Sequence, residues 1–205
     1  DYYNAFLAST IFTIILTPFL FKLSPFISAA SGSLESTKQP LTDNQEKLHG
    51  HVIVAGFGLN GSNLARVLKE TGIKYVVTEL NPDTVKREKA KGEKIIYGDI
   101  SKEEILKAIN IDKASIIVYA ISDPAVTRMS LQLVKKINPH IYALVRTRYV
   151  TEVDELIKLG ADDVIPEEFE TALQIFRKVL ERYHIPLNVI MKQTTILRQE
   201  SYSFL

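Results

Sequence analysis

The sequence predicts an α/β fold, a doubly wound parallel six-stranded sheet preceded by one transmembrane helix and a linker. Three observations carry this. Short β-branched runs alternate with amphipathic segments from residue 51 onward, a glycine fingerprint follows the first run, and residues 2–21 carry no charged side chain.

The uncharged stretch comes first in the chain. Of the 20 residues from Tyr2 to Phe21, 14 are apolar or aromatic, which is enough to cross a hydrocarbon core of roughly 30 Å as a helix. Lys22 ends the run, Tyr2 and Tyr3 stand where interfacial aromatics belong, and Pro18 is expected to kink or end the helix. A transmembrane helix is therefore expected over 1–23. From Ser24 to His49 the composition turns to Ser, Pro, Gly and Thr, which reads as a linker. The chain begins with Asp1 rather than Met, as expected of a piece of a longer polypeptide.

Each sheet unit then follows in order. HVIVA (51–55) leads into SNLARVLKE (62–70), KYVVTEL (74–80) into DTVKREKAKG (83–92), and KIIYG (94–98) into KEEILKAIN (102–110). SIIVYAI (115–121) leads into DPAVTRMSLQLVKKI (123–137), IYALV (141–145) into TEVDELIKLG (151–160), and DDVI (162–165) into a helix near 168–184. Aliphatic runs of four to seven residues uninterrupted by polar side chains are what strands covered on both faces by helices require. Six such units in sequence make a Rossmann-like domain over 50–184.

Composition narrows the function. The 205 residues are 46% hydrophobic and 24% charged, with a net charge of +1 and no cysteine. The length allows one domain with an appendage, or at most two small ones. The charge balance excludes a nucleic-acid binder that works by bulk electrostatics. The lack of cysteine excludes a disulfide scaffold, Cys-ligated zinc and a thiol nucleophile. No metal site and no catalytic residue is expected.

The candidate site lies where the first strand ends. GFGLNG (56–61) has the spacing G-x-G-x-x-G between a strand and a helix. Gly56 allows the tight turn, Gly58 lets a pyrophosphate approach the main chain, and Gly61 lets helix and strand pack closely. The intervening Phe57, Leu59 and Asn60 offer main-chain N–H groups at the helix start. Glu79, 18 residues past Gly61 at the end of the second strand and followed by Leu80, can accept from both ribose hydroxyls. It would repel a 2′-phosphate, so AMP, ATP or NAD(H) is expected and NADP is not. Asp99 and Ile100 follow the third strand, where they would face the adenine or its ribose. Ser101 is the expected cap of the next helix, because Glu104 lies three residues on. Ala120 and Ile121 end the fourth strand, and Asp123-Pro124 reads as a helix start. Arg146 and Arg148 flank the end of the fifth strand as RTR; a guanidinium there, Arg146 above all, would bind a phosphate or carboxylate, or one of the two would pair with Glu152 or Asp154.

Taken together, HVIVAGFGLNGSNLARVL, IIYGDIS, VYAISDP, VRTR and LGADDVIPEEFETA resemble the RCK/KTN (TrkA-N) nucleotide-binding domains. The helix and linker upstream resemble the end of the transport domain in Kef-type monovalent cation:proton antiporters. The resemblance implies a regulatory domain on the cytoplasmic side of the inner membrane that binds AMP, ATP or NAD(H). It would pair as a homodimer and gate an attached K⁺ or Na⁺/proton antiporter, which supplies the transported cation and proton. Residues 123–137 and 168–184 are candidate dimer faces, and 185–205 resembles the connector that follows such domains. Two positions depart from the family pattern: Leu59 replaces an Arg common after the second glycine, and Tyr149 replaces an Asp common after R-x-R. Both weaken an expectation of glutathione control. Two alternatives come from other classes. An NAD-dependent oxidoreductase would need a second domain beyond the roughly 40 residues that follow the last strand. A potassium-channel gating ring would need a filter that 2–21 lack.

Overall fold

The computed structural model describes residues 2–30 and 48–203, which fall in two separate compact units. The first holds helix α1, Tyr2–Ala30. Its 29 residues span about 43 Å at the α-helical rise. The window Tyr2–Leu20, with mean hydropathy 1.5, meets the length and composition of a membrane-crossing helix. The Ser and Thr hydroxyls in that window bond back to the helix itself: Ser9 and Thr10 donate to the Phe6 carbonyl, Thr13 to Ser9, and Thr17 to Thr13, at 2.7–2.9 Å. This removes the cost of bare hydroxyls in an apolar setting.

One sequence expectation is corrected here. The helix does not give way to a linker at Ser24 but continues through Pro25 to Ala30. A proline withdraws a single N–H and bends a helix without forbidding it, and the first glycine after the run is Gly32. The change at Ser24 is one of polarity, not of backbone compatibility. The rest of the expected linker, 31–47, lies outside the described residues.

The second unit is built on six parallel strands: β1 (Val52–Ala55), β2 (Tyr75–Glu79), β3 (Ile95–Tyr97), β4 (Ile116–Tyr119), β5 (Tyr142–Thr147) and β6 (Asp163–Pro166). Their order is β3-β2-β1-β4-β5-β6, all neighbours parallel. The connecting helices are α2 (Leu59–Glu70), α3 (Pro82–Ala90), α4 (Glu103–Ala108), α5 (Pro124–Ile137) and α6 (Val153–Lys158). The two-residue period of a strand divides the core. Ile53 and Ala55 join Ile117, Tyr119, Leu106, Leu131 and Leu156 in one cluster, while Val52 and Val54 join Val77, Ala65, Leu68 and Val85 in the other. Helices therefore cover both faces, which explains the unbroken aliphatic runs.

Caps mark the helix starts. Asn81 and Asp123 each accept from two N–H groups of the following turn, with proline at the first helical position. Ser101 does not cap α4, whose cap position is Lys102. Instead the Ser101 main-chain N–H and hydroxyl both donate to Asp99 Oδ1, at 2.9 and 2.7 Å. A short Asp side chain two residues upstream closes a turn that outcompetes the capping box. After β6, helix α7 (Glu167–Arg182) starts one residue before the segment read from the sequence. The expected connector after it is largely helical, α8 (Leu187–Ser203), with Ile190 buried and a bidentate Arg198–Glu170 pair tying it to α7.

Candidate functional site

The carboxyl ends of β1 and β4, adjacent strands whose connections leave in opposite directions, form the switch point of the sheet, and the glycine loop sits there. Two of its glycines are demanded by the protein itself. Gly56 has φ +97°, and a Cβ there would stand 2.8 Å from Ile121 Cγ2. At Gly61 a Cβ would lie 1.9 Å from the Gly56 carbonyl oxygen, because α2 presses directly on the loop. Gly58 differs. A Cβ there meets nothing within 4 Å, so no protein contact requires glycine at that position. The space beside it lies at the start of α2, whose end no side chain caps. Main-chain N–H groups of Leu59, Asn60 and Gly61 at such an end suit a phosphate. Leu59 itself is 78% exposed, with an apolar side chain that offers a phosphate no donor.

Glu79 is already oriented. Its Oε2 accepts from the Phe57 N–H at 2.8 Å and its Oε1 from the Asn81 N–H at 2.8 Å. Each oxygen keeps a lone pair for a vicinal diol, and the half-buried carboxylate is held rigid beside the loop. Leu80 follows it, 53% exposed. Asp99 is half-buried at the end of β3 and uses Oδ1 in its own turn. Ile100 is not available as a side-chain contact: it is buried in the core, and its carbonyl accepts from Ser130. It lies three residues past β3, in the turn before α4, and belongs to the core cluster of Leu106, Ile109 and Tyr119. Ala120 and Ile121 lie half-buried just past β4, their main chain against Gly56.

Arg146 pairs with neither Glu152 nor Asp154. Its Nε and Nη2 donate to the two carboxylate oxygens of Glu167, and its Nη1 donates to Ser122 Oγ at 3.1 Å. Glu152 is instead taken by the Thr147 hydroxyl and faces Arg128 at 3.7 Å. Glu167 Oε1 also accepts from Asn60 Nδ2 at 3.3 Å. The Arg146 guanidinium holds the Glu167 carboxyl below its usual range. Glu167 was missed as a site residue. Its trace in the sequence is the first glutamate of the PEEFETA run (166–172), which opens the helix after the last strand. A cavity of about 420 Å³ lies on this side of the switch point, lined by Ile121, Ser122, Arg128, Arg146, Arg148 and Glu167 among others.

The geometry fits an adenine nucleotide. The rigid carboxylate of Glu79 suits a ribose, the open space at Gly58 suits a phosphate, and Asp99 stands beside them at the strand end.

Comparison with known proteins gives the same domain. The chain is 28% identical over 203 residues to a protein assigned as the K(+) efflux antiporter KefB of Alkalimonas amylolytica, covering 95% of this chain and 31% of that one. It is 32% identical over 163 residues to the glutathione-regulated potassium-efflux system protein KefC of Salmonella arizonae, covering 80% and 26%. The chain thus spans less than a third of the length of these relatives. Among solved structures, the Kef C-terminal domain of Shewanella denitrificans in its AMP-bound form superposes with TM-score 0.65 at 22% identity, covering 75% of this chain and 94% of that one. The TrkA-N domain model matches residues 52–167, from the first residue of β1 to the glutamate that holds Arg146, and the chain belongs to that family.

Proposed function

We propose that this chain is the nucleotide-sensing regulatory part of a K⁺ (or Na⁺)/proton antiporter, with its sheet domain on the cytoplasmic side of the inner membrane. The observation that carries the reading is the pair formed by Glu79 and Gly58. One is a carboxylate fixed by two main-chain N–H groups, and the other is a glycine with open space where its own protein needs none. The ligand is an adenine nucleotide, AMP, ATP or NAD(H), and not NADP, because a 2′-phosphate would meet Glu79. The AMP in the Shewanella Kef domain supports this class of ligand. The kinship with K⁺ efflux antiporters and the apolar window in α1 support an attached transport domain.

The domain is a sensor and not an enzyme: ligand changes the balance between two arrangements of a homodimer. A nucleotide shifts that balance only by binding one arrangement better, and about 1.4 kcal/mol of difference gives tenfold. Of the two amphipathic segments, α5 spends its apolar face inside the domain on Leu131 and Val134. Helix α7 leaves Ile175 and Val179 exposed along one stripe that Tyr183 continues just past its end, which favours it as the dimer face. Calorimetric titration of the chain in detergent micelles with AMP, ATP, NAD and NADH, alongside Glu79→Ala, tests the reading. Micromolar binding without turnover, weakened by the substitution, is the expected result; no binding by any of the four overturns it.

A further inference from the structure

The amino end of the sheet, opposite the glycine loop, carries charge of one sign. In the last turns of α2 and α3 and the loops that follow them, residues 67–74 and 87–94, six exposed cations (Lys69, Lys74, Arg87, Lys89, Lys91 and Lys94) stand against one exposed acid, Glu70. The other two acids of these segments are turned toward the protein. Glu88, its side chain 14% exposed, pairs with Arg87 and Lys91, whose side chains are 58% and 63% exposed. Glu93 accepts from the Tyr75 hydroxyl and from the Lys94 N–H. The two loops are neighbours, because they lead into the paired strands β2 and β3. The helix dipole accounts for a cation in each last turn. It does not call for Lys74 and Lys94, which stand one residue before the strands. Next to Lys74, Ile73 is 47% exposed.

We propose that this face docks on anionic phospholipid headgroups, with its lysines at the phosphates and Ile73 at the edge of the apolar layer. The inference rests on the membrane-attached reading above and not on the nucleotide. The chain itself favours a lipid surface as the occupant. Helix α1 holds a membrane-crossing window, and residues 31–47 run from it into Leu48 and His51, directly before β1. The sheet unit is therefore tethered at the end that carries the cations. A tether raises the effective concentration of the surface it leads to, so a contact of several weak charges suffices. Lysines around an exposed apolar side chain match such a surface. Each basic residue close to an anionic leaflet favours binding roughly fivefold, and the apolar group enters the shallow interfacial layer. Docking by the amino ends of the strands leaves their carboxyl ends, with Gly58 and Glu79, open to solvent.

The test uses the full chain reconstituted in vesicles of phosphatidylcholine, alone or mixed with phosphatidylglycerol. The chain has no cysteine, so Ile73→Cys carries a polarity-sensitive fluorophore at a single site. In the anionic vesicles its emission is expected to shift to the blue, and in phosphatidylcholine alone to stay as in water. Potassium chloride at about 0.5 M, which shortens the screening length to roughly 4 Å, should reverse the shift. The triple substitution Lys74→Glu, Lys91→Glu and Lys94→Glu, folded by circular dichroism, should lower the docking constant roughly a hundredfold. The same label at Leu80→Cys, exposed at the other end of β2, should respond to neither lipid. A label at position 73 with one spectrum in both vesicles overturns the proposal, as does a shift that survives the triple substitution. In both cases a chain that floats with both vesicles leaves the membrane-attached reading standing, whereas one that floats with neither loses both. Flotation with the anionic vesicles alone keeps the docking face and removes the spanning helix.

Discussion

The Phe57 main-chain N–H donates to Glu79 Oε2 at 2.8 Å, so the glycine loop and the end of β2 are tied together before a ligand arrives. The carboxylate holds the loop, and under the proposed nucleotide-binding role it also accepts from a ribose. Glu79→Gln keeps one acceptor oxygen and loses the charge. Affinity for AMP or NAD is expected to fall about tenfold, as for loss of a charged hydrogen bond. The same substitution removes the repulsion of a 2′-phosphate, so the preference for NAD over NADP should narrow. Parallel titrations with NAD and NADP measure both effects, and an unchanged preference would show that Glu79 does not face the ribose.

The three glycines of the loop separate by what surrounds them. Gly61→Ala places a methyl 1.9 Å from the Gly56 oxygen and forces α2 away from β1. A loss of about 3 kcal/mol in unfolding free energy is expected, at the upper end of overpacking costs. Gly58→Ala places its methyl in open space, at φ −69°, where alanine is comfortable. Stability should stay within about 0.5 kcal/mol, as at other unstrained surface sites, while nucleotide affinity falls because the methyl occupies the phosphate's place. Urea unfolding and titration on the same two variants distinguish a structural glycine from a ligand glycine.

Much of this architecture is legible in the residues, and the reason is local. Strands covered on both faces need unbroken aliphatic runs, and Asp123-Pro124 announces a helix within two positions, so β1 to β6 and the start of α5 can be read from short windows. The fingerprint at Gly56, Gly58 and Gly61 and the carboxylate at Glu79 are equally local. What escaped depends on distant partners. Arg146 had two nearby acidic candidates in Glu152 and Asp154, yet it pairs with Glu167, 21 residues on, because β6 inserts between them and returns the chain to the same sheet end. Ile100 was a candidate by position alone, and the turn before α4 carries it into the core cluster with Leu106 and Tyr119. Ser24 and Pro25 mark a change in solvent preference, and polarity is a poor guide to whether a helix stops.

Helix α7 carries the clearest unpartnered surface of the sheet unit. Thr171, Gln174, Ile175, Lys178, Val179, Arg182 and Tyr183 recur every three or four residues and line an apolar groove of about 550 Å³. If this face joins two copies, Ile175→Glu with Val179→Glu places four like charges across the dimer axis and should yield monomers. Because both side chains are exposed in the single chain, its melting temperature at low concentration should hardly change. Light scattering of the micellar protein, corrected for detergent, gives the mass. A double variant that remains dimeric would remove α7 from the interface.

At the opposite end of the sheet, His51 just before β1 is fully buried, with Nε2 2.8 Å from the Ile109 carbonyl and Nδ1 without a hydrogen-bond partner. Burial lowers its pKa; the Ile109 carbonyl and the charge of Asp112 oppose that, and His49 adds to it. The neutral ring donates from Nε2 and leaves Nδ1 bare, whereas the protonated ring would bury an unpaired N–H. An unfolded chain with an ordinary imidazole, near pKa 6.5, takes up this proton before the folded one does. Stability is therefore fully present above about pH 7 and declines as pH falls through 6.5 toward the lower folded value. Urea midpoints at pH 7.5 and 5.5 should differ in the wild type by more than in His51→Gln, whose stability at pH 7.5 is already reduced but whose decline on acidification is shallower. Parallel declines in the two proteins would place the acid sensitivity on other groups, because among the described residues the imidazole at position 51 alone combines complete burial with a nitrogen that protonation would leave unpaired.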